Sequence, residues 1–152
     1  MHEVARELTA WVQRAYPGAE FDRTAVEFGA ATHDIGKVEH PEELSGPGSR
    51  HEPAGYTLLR DHGVPGELAR FTRTHGSWTG PEVTLADLLV SLADKVWKAK
   101  RVPDLEQLVV ASLASAGGQE PWEVFLALDD VLDGLAAGAD RRLAFQNAYP
   151  VA

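Results

Sequence analysis

The stretch Val26-Glu27-Phe28-Gly29-Ala30-Ala31-Thr32-His33-Asp34-Ile35-Gly36-Lys37 decides how the rest of the chain is read. At helical spacing His33 shares a face with Val26, Gly29 and Ala30, an apolar face of small residues against which another backbone can pack closely. A histidine on that face is buried. Alone, it reads as a core residue satisfied by a hydrogen bond. Asp34 shifts the balance, because a carboxylate beside a buried imidazole is costly to bury unless it is paired or coordinates a metal.

Working outward, the chain reads as helices joined by short Gly/Pro loops. Val4, Leu8, Trp11, Val12 and Ala15 recur at helical spacing over residues 2–15, and Tyr16-Pro17-Gly18 ends that segment. Asp22 is placed to cap a second helix running to about Gly36. A loop from Glu39 to Ser49 leads to a third helix, about Arg50 to His62, and Pro65 opens a short fourth ending near Gly76. Thr84 caps a longer helix to about Lys100, Asp104–Ala114 is helical, and Pro121 opens a last stretch to about Ala148 with a break near Gly134 or Gly138. Strand-type alternation is absent. The expectation is one all-α domain over residues 1–152, a bundle of about six to seven helices, with C-terminal helices over about 104–148.

Bulk composition narrows the function. The 152 residues include no cysteine, which removes disulfides, thiolate metal sites and cysteine nucleophiles, and fits a reducing cytoplasm. No apolar run approaches the roughly 20 residues needed to cross a bilayer, and the N-terminus lacks a basic segment followed by an apolar one. The formal charge of −9 argues against a nucleic-acid surface, since neutralising phosphates takes clustered Lys and Arg. No Gly-rich phosphate loop of the Walker type is present.

The sequence around His33-Asp34, with its Gly36-Lys37 turn, resembles the signature of the HD superfamily of metal-dependent phosphohydrolases. The resemblance covers about residues 2–101. His2, in His2-Glu3-Val4-Ala5-Arg6, resembles the family's first ligand, and Asp94 in Ala93-Asp94-Lys95 resembles its last. His51 in Arg50-His51-Glu52-Pro53-Ala54-Gly55 and His75 in Thr74-His75-Gly76 resemble the extra histidines of members that hold two metals. The resemblance thus implies metal ligands His2, His33, Asp34, His51, His75 and Asp94, with Asp34 bridging. Imidazole and carboxylate donors suit one or two divalent ions such as Fe, Mn, Co, Ni or Zn. Five helices converging on one point is also how a helical domain builds a metal site in its core.

The remaining candidates rest on position. Leu85, Leu88, Leu89, Leu92 and Val96 form one stripe of their helix; Asp94 lies opposite, with Asp87, Ser91, Lys98 and Arg101. That polar side reads either as a solvated face or as the lining of a cleft, with Lys98 and Arg101 near a substrate phosphate. His2 stands at the second residue, so a ligand there needs the first helix firmly docked. Lys37 reads as a catalytic cation or as a helix C-terminal charge. Trp78, in the loop after His75, is the tryptophan placed to stack on a ring. His40, His62, Glu42, Glu43 and Glu52 read as solvated or helix-end groups, and the Gly/Pro loop from Pro41 to His51 is placed to act as a lid or specificity loop.

The expected reaction is hydrolysis of a phosphomonoester or phosphodiester, of a nucleotide or another small phosphorylated metabolite, with Asp34 and Lys37 as catalytic residues. Two alternatives stay open at this point. Relatives with the same ligand series include mixed-valent di-iron oxygenases, and a non-catalytic ligand-sensing module could keep the same helices. No nucleic-acid or membrane partner is expected; the apolar C-terminal stretch could pack on the core or build a homodimer.

Overall fold

The computed structural model describes residues 1–149. They form α1 (His2–Ala15), α2 (Arg23–Thr32), α3 (His51–Asp61), α4 (Gly66–Ala69), α5 (Phe71–Thr74), α6 (Leu85–Trp97), α7 (Pro103–Gly117), α8 (Pro121–Ala136) and α9 (Ala139–Ala148). Two 3-10 turns, Ile35–Val38 and Pro41–Leu44, lie between α2 and α3. The described residues contain no strand, so the all-α class stands. No helix among them is long and apolar enough to cross a membrane.

Helix α6 is the axis of the fold, packed against α1, α2, α5, α7, α8 and α9. Ten of its residues are buried, from Ala86 through Val96, so it is covered on all sides. Its start is fixed by a capping box: the Thr84 side chain accepts from the first turn while the Asp87 carboxylate accepts from the Thr84 N–H at 2.9 Å. Around it, Leu8 and Val12 of α1, Val26 of α2, Phe71 of α5, Leu105 and Leu113 of α7, and Leu128 and Leu132 of α8 close one continuous core. The C-terminal helices share that core.

Two boundaries differ from the sequence reading, each for a local reason. Asp22 does cap α2, accepting from Ala25 N–H at 3.0 Å, but the helix stops at Thr32 and the chain tightens into the 3-10 turn that carries Gly36. This turn lies directly on α3. A Cβ on Gly36 would overlap the His51 carbonyl oxygen and come within 2.5 Å of the Gly55 N, so only glycine lets the two backbones meet. The fourth helix is two short turns rather than one, because the Thr72 hydroxyl takes the Ala69 carbonyl at 2.9 Å, and Arg73 N–H bonds Arg70 instead. The predicted C-terminal break falls at Ala137-Gly138.

The Gly36 contact sets a stability test. Gly36→Ala is expected to cost about 1–3 kcal/mol through overpacking. A thermal melt should show the midpoint lowered by at least about 2 °C; an unchanged midpoint would contradict the close approach.

Candidate metal centre

His33 follows the last residue of α2, and its ring Nδ1 donates to the Ala30 carbonyl at 2.9 Å. His75 follows α5, and its Nδ1 donates to the Phe71 carbonyl at 3.1 Å. His51 opens α3, and its Nδ1 faces the Glu43 carboxylate at 2.5 Å. A carbonyl can only accept, and the Glu43 carboxyl, despite burial, is held below its usual range by the His51 ring and by N–H groups of His51 and Arg50. Each imidazole therefore holds a proton on Nδ1 and turns Nε2 into the site.

All three Nε2 atoms converge on Asp34. His51 Nε2 lies 3.2 Å from Asp34 Oδ1, His75 Nε2 lies 3.7 Å from the same oxygen, and His33 Nε2 lies 3.5 Å from Oδ2. Burial opposes ionisation of Asp34, but His33 and Lys37 outweigh it and hold the carboxyl below its usual range. His51 Nε2 is buried with no hydrogen-bond partner among the described residues. A cation between them satisfies every one of these atoms at once. His33, Asp34 and His75 each offer a ligand atom within 4.8 Å of the others, as do His51, Glu52 and His75, so two adjacent positions share His75.

Asp94 completes the near side. It is 4 % exposed, and its Oδ1 stands 3.4 Å from His33 Nε2. Burial would raise its pKa, yet hydrogen bonds from His33 and Lys95 hold it well below the usual carboxylate range. This side of α6 is not a solvated face along its buried length: Asp87, Ser91 and Asp94 are all buried. Three ammonium groups bind the two carboxylates, Lys37 to Asp34 at 2.7 Å, Lys95 to Asp94 at 2.8 Å and Lys98 to Asp94 at 3.3 Å.

Several residues take other places. The His2 ring is half-exposed and its nearest carboxylate is Glu27, at 3.9 Å, so the structure does not bring it to the cluster; at the first turn of α1 it leans on the neighbouring surface of α2. Arg101 is also drawn elsewhere. Its guanidinium bonds Glu106 twice at 2.9 Å, Asp129 at 2.7 Å and Asp133 at 2.6 Å, which leaves it tying the α6–α7 turn to α8. Trp78 packs partly buried under Lys95, 5.8 Å from ring centroid to ammonium, behind the carboxylates rather than in the cleft. His62 sits at the end of α3 with Nδ1 donating to Leu58, and His40 faces Glu42 in the loop.

Glu43 and Glu52 are the functional residues that the pattern of the sequence concealed. Glu43 is buried, not solvated, because the 3-10 turn at Pro41–Leu44 folds it over the start of α3, where it orients the His51 ring. It reaches His51 across a loop that joins two separate elements, so no pattern within one helix links the two residues. Glu52 is half-buried beside His51 and His75, and burial pushes its carboxyl up.

Two measurements follow. Glu43→Ala should weaken metal binding by about 10–100-fold while the fold is kept, as for other groups that orient a ligand histidine; isothermal titration with Mn²⁺ or Zn²⁺ giving wild-type affinity would refute the role. Burial and then the adjacent His33 lower the His75 pKa to about 4, whereas in the unfolded chain it titrates near 6.5. The unfolded state thus binds the extra proton first, and metal-free protein should lose stability as pH falls from about 6.5 towards about 4. His75→Gln should flatten that part of the pH profile in chemical denaturation.

Residues 1–97 match the family model of the HD domain, a span that includes the whole cluster from His33 to Asp94. No curated protein and no solved structure matches the chain. HD domains bind divalent metals and are generally metal-dependent phosphohydrolases. With the matched span covering well over half of its length, the chain belongs to the HD domain family.

Proposed function

We propose that the protein hydrolyses a phosphomonoester or phosphodiester of small-molecule size, a nucleotide or another phosphorylated metabolite, with one or two divalent ions held by His33, Asp34, His51, His75 and Asp94. One observation carries the reading: three imidazoles whose Nδ1 atoms are already committed aim Nε2 at the ionised, half-buried Asp34 carboxylate, and His51 Nε2 lacks a hydrogen-bond partner among the described residues. This is a donor set for Fe, Mn, Co, Ni or Zn. Bound there, a divalent ion acidifies water toward neutrality and draws in phosphoryl oxygens.

The chain's own groups supply the rest. His33, Asp34, Lys37, Asp94 and Lys98 face a cleft of about 500 Å³, a size that suits a small ligand. Lys37 and Lys98 flank its two carboxylates. With those carboxylates holding a metal, these ammonium groups would be free to donate to nonbridging phosphoryl oxygens and to offset charge that develops during displacement. Asp34, fixed between three imidazoles, orients the attacking water; Lys37 is the nearest cation to it.

The decisive test is a phosphoester panel assayed with Mn, Co, Ni and Fe, with and without air. Phosphate release without oxygen is the expected result; turnover that requires iron and oxygen would overturn the proposal. Asp34→Ala should lower both metal occupancy and turnover by at least about 100-fold, and a variant that keeps both would refute the site.

A further inference from the structure

The wall opposite the metal ligands comes from a part of the chain beyond the family match. Leu143, Gln146 and Asn147 of α9 line the same cleft as His33, Asp34 and Asp94, although α9 begins 42 residues after the matched span ends at 97. Gln146 and Asn147 are exposed to this space, and neither carboxamide has a hydrogen-bond partner among the described residues. Each amide offers two donors and an acceptor with no charge. The Trp97 side chain lines the same cleft.

Helix α9 is pinned in this position. The Arg142 guanidinium donates to the Trp97 carbonyl at 3.1 Å and the Leu135 carbonyl at 2.8 Å, joining the last turns of α6 and α8. Carbonyls at helix C-termini carry partial negative charge and lack helical partners, so a guanidinium there is well matched. The cleft is thus polarised. Its lining sets the cations of Lys37 and Lys98 in one cleft with the uncharged amides of Gln146 and Asn147.

We infer that Gln146 and Asn147 are the specificity-determining residues of the cleft: they bind an uncharged, hydrogen-bonding substituent of the phosphorylated ligand, such as a sugar or a heterocycle, and disfavour alkyl phosphates. This rests on the phosphoester reading above and narrows it to esters whose alcohol part carries donors and acceptors. Hydrogen-bonding groups that a bound ligand covers discriminate against analogues that leave them unpaired more strongly than apolar pockets discriminate by size.

Binding to phosphonates, in which a methylene replaces the ester oxygen, tests this without turnover. The Mn²⁺-loaded full chain would be titrated in the absence of oxygen with methylphosphonate, butylphosphonate and the phosphonate analogues of ribose 5-phosphate and adenosine monophosphate. Wild type should bind at least one polar analogue more tightly than butylphosphonate. Gln146→Ala and Asn147→Ala should each weaken that analogue by about tenfold, the effect of one hydrogen bond, and leave methylphosphonate unchanged. Variants that bind the polar analogues as wild type does, or a wild type that prefers butylphosphonate, would overturn the inference. If discrimination appears but no ester is hydrolysed, the hydrolase reading falls and the role of α9 stands.

Discussion

The Nδ1 protons of His33, His51 and His75 are the constraint on which the site depends. Two are held by carbonyls of α2 and α5, and one by a carboxylate carried on a 3-10 turn. A ring free to flip could offer Nδ1 or Nε2, and could satisfy itself on Asp34 by donating a proton. The fixed Nδ1 contacts leave these rings with Nε2 alone turned toward Asp34. The fold thus gathers three ring nitrogens and an anion at one point, an arrangement suited to a cation. The ammonium groups of Lys37, Lys95 and Lys98 carry part of that role from the rim.

Such an arrangement needs a rigid frame, and α6 provides it. A helix buried on all sides must satisfy any polar residue it carries. Asp87 does so at the first turn through Thr84, Arg70 and Thr74. Ser91 bonds the Asp87 carbonyl and contacts the Thr74 carbonyl, one residue before His75. Asp94 ends the same stripe at His33. One line of polar groups along α6 therefore connects its N-terminal cap to the metal centre, and packing of the apolar stripe fixes its height and rotation.

The sequence carried the all-α class and the centre of the site because both depend on short-range pattern. Apolar residues at helical spacing, Asp22 and Thr84 at helix starts, and Pro/Gly between them are local signals, and the ordered series from His33 to Asp94 is tied to them. What stayed hidden depends on tertiary geometry. Whether the polar side of α6 meets solvent cannot be told from its periodicity, since the answer lies in what α2 and α5 place over it. His2 has the right spacing but lies on a first turn that faces Glu27. Arg101 lies on the expected side of its helix, yet the chain leaves the helix at Trp97, turns through Ala99 at a φ of 57°, and delivers the guanidinium to three carboxylates. Glu43 reaches His51 only because a Gly/Pro loop doubles back.

The separation between the ligands and α9 has an evolutionary meaning. Every ligand of the candidate centre lies between residues 33 and 94, while the facing wall is an appended helix held largely by one arginine on backbone carbonyls. Backbone carbonyls are the same whatever side chains surround them, so this attachment does not depend on the identity of its neighbours. The surface of α9 can drift, residue by residue, without disturbing the chemistry beneath it. Such a division lets a lineage keep an inherited reaction and exchange the molecules on which it acts.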